Sequence, residues 1–195
     1  RWGASAYPFA LAFRDGWLYH AVVPNLLRPV PEREAVLYRS RPDGTEMAEV
    51  GRFALDYRRA RQLQSHASAF VADIAFRPNG DAVLGLRDGT TAGTGDMLSV
   101  KVGHDGWTVD VAHARYNLPK TGVTGALARI GDSDRIVANG TNLLKEFDVG
   151  LLWYDNADGR MTDRRVVMPG KTSVYWFTPP GTGHRKRVVV GDYEV

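Results

Sequence analysis

The stretch "DIAFRPNGDAVLGLRDG", residues 73–89, carries a strand pattern on each side of Asn79-Gly80. Asn-Gly is the strongest short hairpin signal, because both residues tolerate the positive φ angles of a tight turn. Ile74–Phe76 before the turn and Ala82–Leu86 after it are mostly apolar. Such runs are typical of strands that are covered on both faces. The stretch therefore predicts a β-hairpin packed between other layers.

The same hairpin pattern recurs along the chain. It occurs at Leu11–Val23, at Leu127–Gly140 and, with a longer turn, at Val174–Tyr193. A second hairpin follows each of the first three copies and turns on Asp-Gly, at Asp43-Gly44, Asp105-Gly106 and Asp158-Gly159. Those Asp residues lie 32, 31 and 31 positions after Leu11, Ile74 and Leu127. The repeating unit is thus two hairpins, or four strands.

Apolar residues lie seven and five positions before each of these Asp residues. This alternation predicts that they share one buried face of each unit: Val36, Tyr38, Leu98, Val100, Leu151 and Trp153. If so, Trp153→Ala would open a cavity that costs about 3 to 5 kcal/mol.

Four-stranded units that begin near residues 11, 74, 127 and 174 predict an all-β fold, and specifically a β-propeller. The fourth unit contains one hairpin, so the chain would hold about three and a half blades. We expect residues 1–195 to form this one propeller-like domain, complete or not. A β-sandwich with coincidental spacing is the alternative fold, and the matched turn offsets disfavour it.

Composition narrows the range of functions. The chain has no cysteine, which excludes disulfides and thiolate metal sites. The longest apolar run falls short of the roughly 18 residues of a membrane span. The net charge is +3, and the basic runs at 58–61 and 184–187 lack interleaved aromatic residues. They are interpreted as solvated loops, so we expect no nucleic acid partner.

The segments "VADIAFRPNGDAVLGLRDG" and "GDMLSV" give the chain a family resemblance. With the later "LARIGDSDRIVANG" and "VGLLWYDNADGRMTDRRVV", it resembles a propeller-like region of bacterial secreted and cell-surface proteins that often carry SdrD-type B repeats. "GLRDG" stands where that pattern has "GLRDR", and no B repeat follows Val195. The resemblance implies extracellular display and a binding or structural role, with no particular chemistry.

Carboxylates flank one predicted blade edge. Asp73, Asp88 and Asp96 could hold Ca²⁺, which prefers oxygen ligands; the alternative is that Asp88 and Asp96 cap turns. A second hypothesis is a metal-dependent, lactonase-like propeller hydrolase with Asp73, Asn139 and Asp192 in the central funnel. Asp73 precedes a first strand, whereas the other two follow second strands, which disfavours that set. No G-x-S-x-G motif is present, so acyl-transfer hydrolase chemistry has no support. A binding or structural role is the main expectation, and the hydrolase is the alternative.

The last unit, Val174–Val195, predicts an open sheet edge. Its strand "KRVVVGDY" would present unpaired backbone groups, which recruit a further strand. A closed propeller has at least about four blades, so three and a half would be incomplete. The first residue is not Met, so we expect a processed or partial product. Further segments of the same protein, or other protein chains, are therefore the expected partners.

Overall fold

The chain folds into β-strands throughout the part that the structure describes. The computed structural model describes residues 6–24, 32–56, 69–88, 95–111, 116, 123–141, 149–168, 175–177 and 186–188. The strands of the first half are β1 (Ala6–Arg14), β2 (Trp17–Pro24), β3 (Glu34–Ser40), β4 (Ala48–Ala54), β5 (Ala69–Phe76), β6 (Ala82–Asp88) and β7 (Asp96–Gly103). Those of the second half are β8 (Gly106–Val109), β9 (Val123–Arg129), β10 (Arg135–Thr141), β11 (Val149–Asp155), β12 (Met161–Met168), β13 (Tyr175–Phe177) and β14 (Lys186–Val188).

These strands form consecutive antiparallel meanders. The first sheet is β1–β4, the second sheet is β5–β8 and the third sheet is β9–β12, each with its strands in chain order. The last two described strands, β13 and β14, pair as a hairpin. The predicted all-β class and the four-stranded unit are therefore confirmed. In the described ranges the three sheets remain separate and do not close into a ring.

The predicted Asp-Gly and Asn-Gly turns adopt the backbone that such residues favour. Gly16, Gly44, Gly80 and Gly159 have φ of +79°, +83°, +97° and +71°. Asp15 also has a positive φ of +50°, so the β1–β2 turn uses two left-handed residues. This is the turn type whose twist matches that of the flanking strands.

The first strand of each sheet begins earlier than the predicted unit start. β1, β5 and β9 begin four or five residues before Leu11, Ile74 and Leu127. The pairing shifts between Pro8 and Ala10 in β1 and between Val71 and Asp73 in β5; opposite β9, it shifts between Ala138 and Gly140. Each irregularity lies just before the predicted start. A bulge interrupts the alternation of side chains, so the strand pattern in the sequence resumes only after it.

The second sheet lies between the first and third sheets and buries both of its faces. One core cluster joins the first sheet to the second, and the other joins the second to the third. Leu84 and Leu98 of the second sheet face the first, whereas Val83 and Met97 face the third. This two-sided burial explains why the quoted strands are apolar at successive positions.

The residues seven and five positions before each Asp-Gly turn were predicted to be buried on one face. This prediction is correct in the second sheet and wrong in the third. Leu98 and Val100 are 2% and 1% exposed, but Leu151 and Trp153 are half-buried. The core residues of β11 are instead Leu152 and Tyr154, each 0% exposed. In the first sheet Val36 is buried and Tyr38 is half-buried.

The error in the third sheet arises from turn length. Gly103 pairs with Gly106 across a two-residue turn in the β7–β8 hairpin. The β11–β12 turn is longer, with Asp155 N donating to the carbonyl oxygen of Arg160. Because side chains alternate with a period of two, a one-residue difference moves the whole set to the opposite face.

Candidate functional site: the cleft at the ends of the first strands

A cleft of about 530 Å³ opens where the first strands of all three sheets end. We call it the first-strand cleft. Its lining comprises residues 11–15, residues 74–78 and residues 127–129, from β1, β5, β9 and the turns that follow β1 and β5. Equivalent parts of the repeating unit therefore converge on one place. This convergence is the clearest geometric feature that the described sheets share.

Arg14 forms part of the cleft wall and links the first sheet to the second. Its Nη1 donates to the carbonyl oxygen of Arg77 at 3.2 Å, and its guanidinium lies 4.9 Å from the centre of the Phe76 ring. Its Nε also donates to Asp15 Oδ2 at 3.0 Å. Asp15 is 81% exposed, so that ion pair adds little stability.

Arg77 occupies the equivalent position in the second sheet and reaches the third. Its Nε and Nη2 donate to Asp134 Oδ1 and Oδ2 at 3.0 and 2.5 Å. Asn156 Nδ2 donates to Asp134 Oδ1 at 3.1 Å, and Tyr116 Oη donates to Asn156 Oδ1 at 2.7 Å. The hydrogen bonds to Asp134 raise the pKa of Arg77. Two repeat-equivalent arginines thus connect the first sheet to the second and the second sheet to the third.

We expect Arg77→Ala to lower the free energy of unfolding by about 1 to 3 kcal/mol, because it removes charge-assisted hydrogen bonds between sheets. Arg52→Ala is the matched control, since Arg52 pairs with Glu34 and Glu49 on the exposed surface. Surface ion pairs contribute roughly 0 to 1 kcal/mol. Urea denaturation of both variants measures the contrast. Equal losses would show that the Arg77–Asp134 pair does not hold the second and third sheets together.

The structure places Asp73 and Asp96 on opposite faces of the second sheet. Asp73 pairs with Gly85, and Asp96 pairs with Leu86, the next residue along β6. Asp73 accepts hydrogen bonds from the Ile74 and Leu127 amides, each at 2.7 Å. Asp96 accepts one from the Met97 amide at 2.8 Å. Both carboxylates act as backbone acceptors.

The Asp88 side chain lies outside the described residues. Within those residues, no group of three or more His, Asp or Glu side chains could hold a metal ion. The calcium assignment to Asp73, Asp88 and Asp96 stays a prediction, and the opposed directions of Asp73 and Asp96 argue against one ion shared by all three. We therefore expect added Ca²⁺ to leave the melting temperature unchanged. A rise that is lost in Asp88→Ala would contradict this and support the calcium site.

The side chains considered for a hydrolase are used differently in the fold. Asn139 is 2% exposed, and its Oδ1 accepts from the Ala126 amide at 3.3 Å. Like Asp73, it hydrogen-bonds the β9 backbone around Gly125, which has a φ of +99°. Asp192 lies outside the described residues. The contacts of Asp73 and Asn139 stabilise the irregular part of β9.

Tryptophan residues divide between core and surface. Trp107 is 8% exposed and stacks on Tyr19 with ring centroids 5.1 Å apart, so it belongs to the core. Trp17 instead lies under the guanidinium groups of Arg39 and Arg41, at 4.5 and 3.8 Å. The sequence did not predict these cation–π contacts, because they join residues of different strands.

His20 is a partly buried residue of β2. Its Nε2 lies 2.8 Å from Ser40 Oγ. Burial lowers the pKa of His20. Neither His20 nor Ser40 lines the first-strand cleft.

No protein-family model matches the chain, and no curated protein matches it. The described residues include no helix with the length and apolar character needed to cross a membrane.

Proposed function

We propose that the chain forms consecutive blades of a β-propeller that acts as an extracellular or cell-surface binding module within a larger protein or assembly. The observation that carries this proposal is the convergence of β1, β5 and β9 on one cleft. In a propeller the first strand of every blade lines the central channel. Arg14 and Arg77 each contact the following sheet. Such contacts are expected if the third sheet is placed relative to the second as the second is relative to the first.

The first-strand cleft is the proposed binding site. Its lining includes two arginines, Arg14 and Arg129. Arg129 is exposed, whereas the charge of Arg77 is matched by Asp134. Guanidinium groups recognise carboxylates and phosphates in a planar, two-point geometry. The ligand would therefore be a carboxylate or phosphate anion.

The chemistry of the lining favours binding over hydrolysis. Asp15 is its one carboxylate among the described lining residues, and it is largely exposed and paired with Arg14. General acid–base catalysis needs a titratable side chain held within hydrogen-bond reach of the substrate. The described lining offers no carboxylate or histidine other than Asp15. We therefore rank the hydrolase hypothesis below a binding role.

Calorimetric titration with a series of alkyl and aryl carboxylates and phosphates tests this proposal. We expect saturable binding that weakens about tenfold in Arg129→Ala, which removes one charged hydrogen-bond donor. Arg160→Ala is the matched control, because Arg160 is an exposed arginine in the β11–β12 turn, outside the cleft lining. Equal binding by both variants, or no binding by the unmodified chain, would reject the cleft as the site.

The extracellular placement is supported by the family resemblance of the repeat segments. It is tested by labelling intact and permeabilised cells of the source organism with an antibody against residues 1–195. We expect equal labelling of both preparations. Labelling that requires permeabilisation would place the protein inside the cell.

A further inference from the structure

In the second and third sheets, an apolar residue of the first strand is buried against the preceding sheet. Ile74 of the second sheet is 5% exposed and belongs to the core shared with the first sheet. Leu127 of the third sheet is 7% exposed and belongs to the core shared with the second sheet. Each is therefore buried against the preceding sheet. Leu11 is the equivalent residue of the first sheet, and it is 59% exposed.

The residue two positions further along each first strand shows the same contrast between the second sheet and the first. Phe76 packs against the preceding sheet, where its ring meets that of Tyr19 edge-on with centroids 4.9 Å apart. It also meets the ring of Trp107, in its own sheet, with centroids 5.7 Å apart. Phe13 occupies the equivalent position of β1 and is 63% exposed. Leu11 pairs with His20 and Phe13 with Leu18, so these four residues share one face. We call this surface the leading face of the first sheet.

The third sheet has an opposite, trailing face. Its leading side, which bears Leu152 and Tyr154, packs on the second sheet. Leu151 and Trp153 alternate with those residues and therefore point away from the second sheet. Both are half-buried. Among the three four-stranded sheets, the leading face of the first and the trailing face of the third lie on opposite sides of the second sheet.

We propose that the leading face docks against the trailing face of a second copy of this chain. This inference rests on the proposed propeller arrangement and names the partner surface. At each described interface the leading face of one sheet covers the trailing face of the sheet before it, and the new contact would extend that series. Leu11 and Phe13 would then pack against Leu151 and Trp153, and all four side chains would lose solvent exposure. The contact joins two different faces, so it is heterologous.

Oligomeric state gives the first test. We expect light scattering to show an assembly larger than a monomer whose population increases with concentration. Phe13→Asp should weaken self-association about tenfold or more, because it buries a charge in the apolar contact. Met47→Asp is the matched control, since Met47 is also an exposed apolar side chain, at 43%, but lies between β3 and β4. A monomer at all concentrations, or equal effects of the two variants, would overturn the proposal.

The absence of native cysteine permits a direct test of which faces meet. A mixture of Phe13→Cys and Trp153→Cys chains should give a disulfide-linked pair, whereas a mixture of Met47→Cys and Trp153→Cys should not. Linkage within the double variant Phe13→Cys/Trp153→Cys at high dilution would show that one chain joins its own faces, and it would overturn docking of a second copy. So would efficient linkage of Phe13→Cys to itself.

These outcomes are separate from the fate of the propeller proposal. The arrangement of sheets within one chain can be measured on the monomeric Phe13→Asp variant. If the sheets diverge as blades do but the cysteine mixture fails to link, the docking proposal fails alone. If the sheets do not diverge, the propeller proposal fails.

Discussion

Gly85→Ala is expected to lower the free energy of unfolding by at least about 3 kcal/mol, at or beyond the upper end of overpacking costs. Gly85 lies on β6 and faces the third sheet. Among the described glycines, it is the one at which an added Cβ would come closest to an atom of another sheet. A Cβ added there would lie 1.9 Å from the Gly125 carbonyl oxygen and 2.9 Å from Leu127 Cγ. The nearest atom belongs to the backbone, so a side-chain rotation cannot relieve the clash. The two sheets would have to move apart.

Gly103→Ala is the control for this substitution. Its added Cβ would come no closer than 3.1 Å to another atom, the Gly106 carbonyl oxygen, and the site is exposed. Urea denaturation gives both free energies, and hydrogen exchange at Leu127 and Ala138 reports whether the third sheet separates from the second. A loss below about 1 kcal/mol for Gly85→Ala would contradict the close packing of β6 on β9.

Tyr154→Ala is expected to cost about 3 to 5 kcal/mol, as large aromatic deletions in a core do. Tyr154 is 0% exposed, and its ring meets that of Tyr116 edge-on with centroids 5.7 Å apart. The adjacent Trp153→Ala should cost only about 1 to 2 kcal/mol, because its side chain is half-buried on the opposite face. The larger residue should therefore be the less sensitive one.

This comparison is made by urea denaturation at low protein concentration, where self-association through Trp153 contributes least. The two positions are neighbours in one strand, so each serves as the control for the other. A greater loss for Trp153→Ala would restore the face assignment that the Asp-Gly spacing predicted. It would also contradict the packing of Leu152 and Tyr154 on the second sheet.

The sequence predicted the features that depend on local residue patterns. Asn79-Gly80 and the Asp-Gly pairs identified the turns because their backbone preferences are local. The apolar runs identified strands covered on both faces, and the spacing of turns identified four-stranded units. These features were predicted correctly because short local sequence patterns specify them.

Features that depend on contacts between distant residues were not predicted. The side-chain phase of β11 depended on the length of the turn after Asp155, which counting back from Asp158 does not reveal. The link from Arg77 to Asp134 joins residues 57 positions apart in the chain. The first-strand cleft is formed by segments of three sheets, so no single sequence motif predicts it. Asp73 was proposed as a metal ligand, but its carboxylate hydrogen-bonds the amide of Leu127 in the next sheet.

Two spin-label distances would show whether the sheets radiate from the first-strand cleft as blades. Asp15 and Asp132 are exposed in the first hairpin turns of the first and third sheets, near the cleft. Asp43 and Asp158 are exposed in the second hairpin turns of the same two sheets. Cysteine substitution introduces unique labels, because the chain has no other cysteine.

Double electron–electron resonance on the monomeric Phe13→Asp background measures the 15–132 and 43–158 distances. The two pairs span the same two sheets, one pair near the proposed axis and the other near the periphery. Because blades diverge from an axis, we expect the 43–158 distance to exceed the 15–132 distance by roughly 10 Å or more. A flat stack with sheets about 10 Å apart would give equal distances of roughly 20 Å for both pairs, and that result would contradict the propeller arrangement.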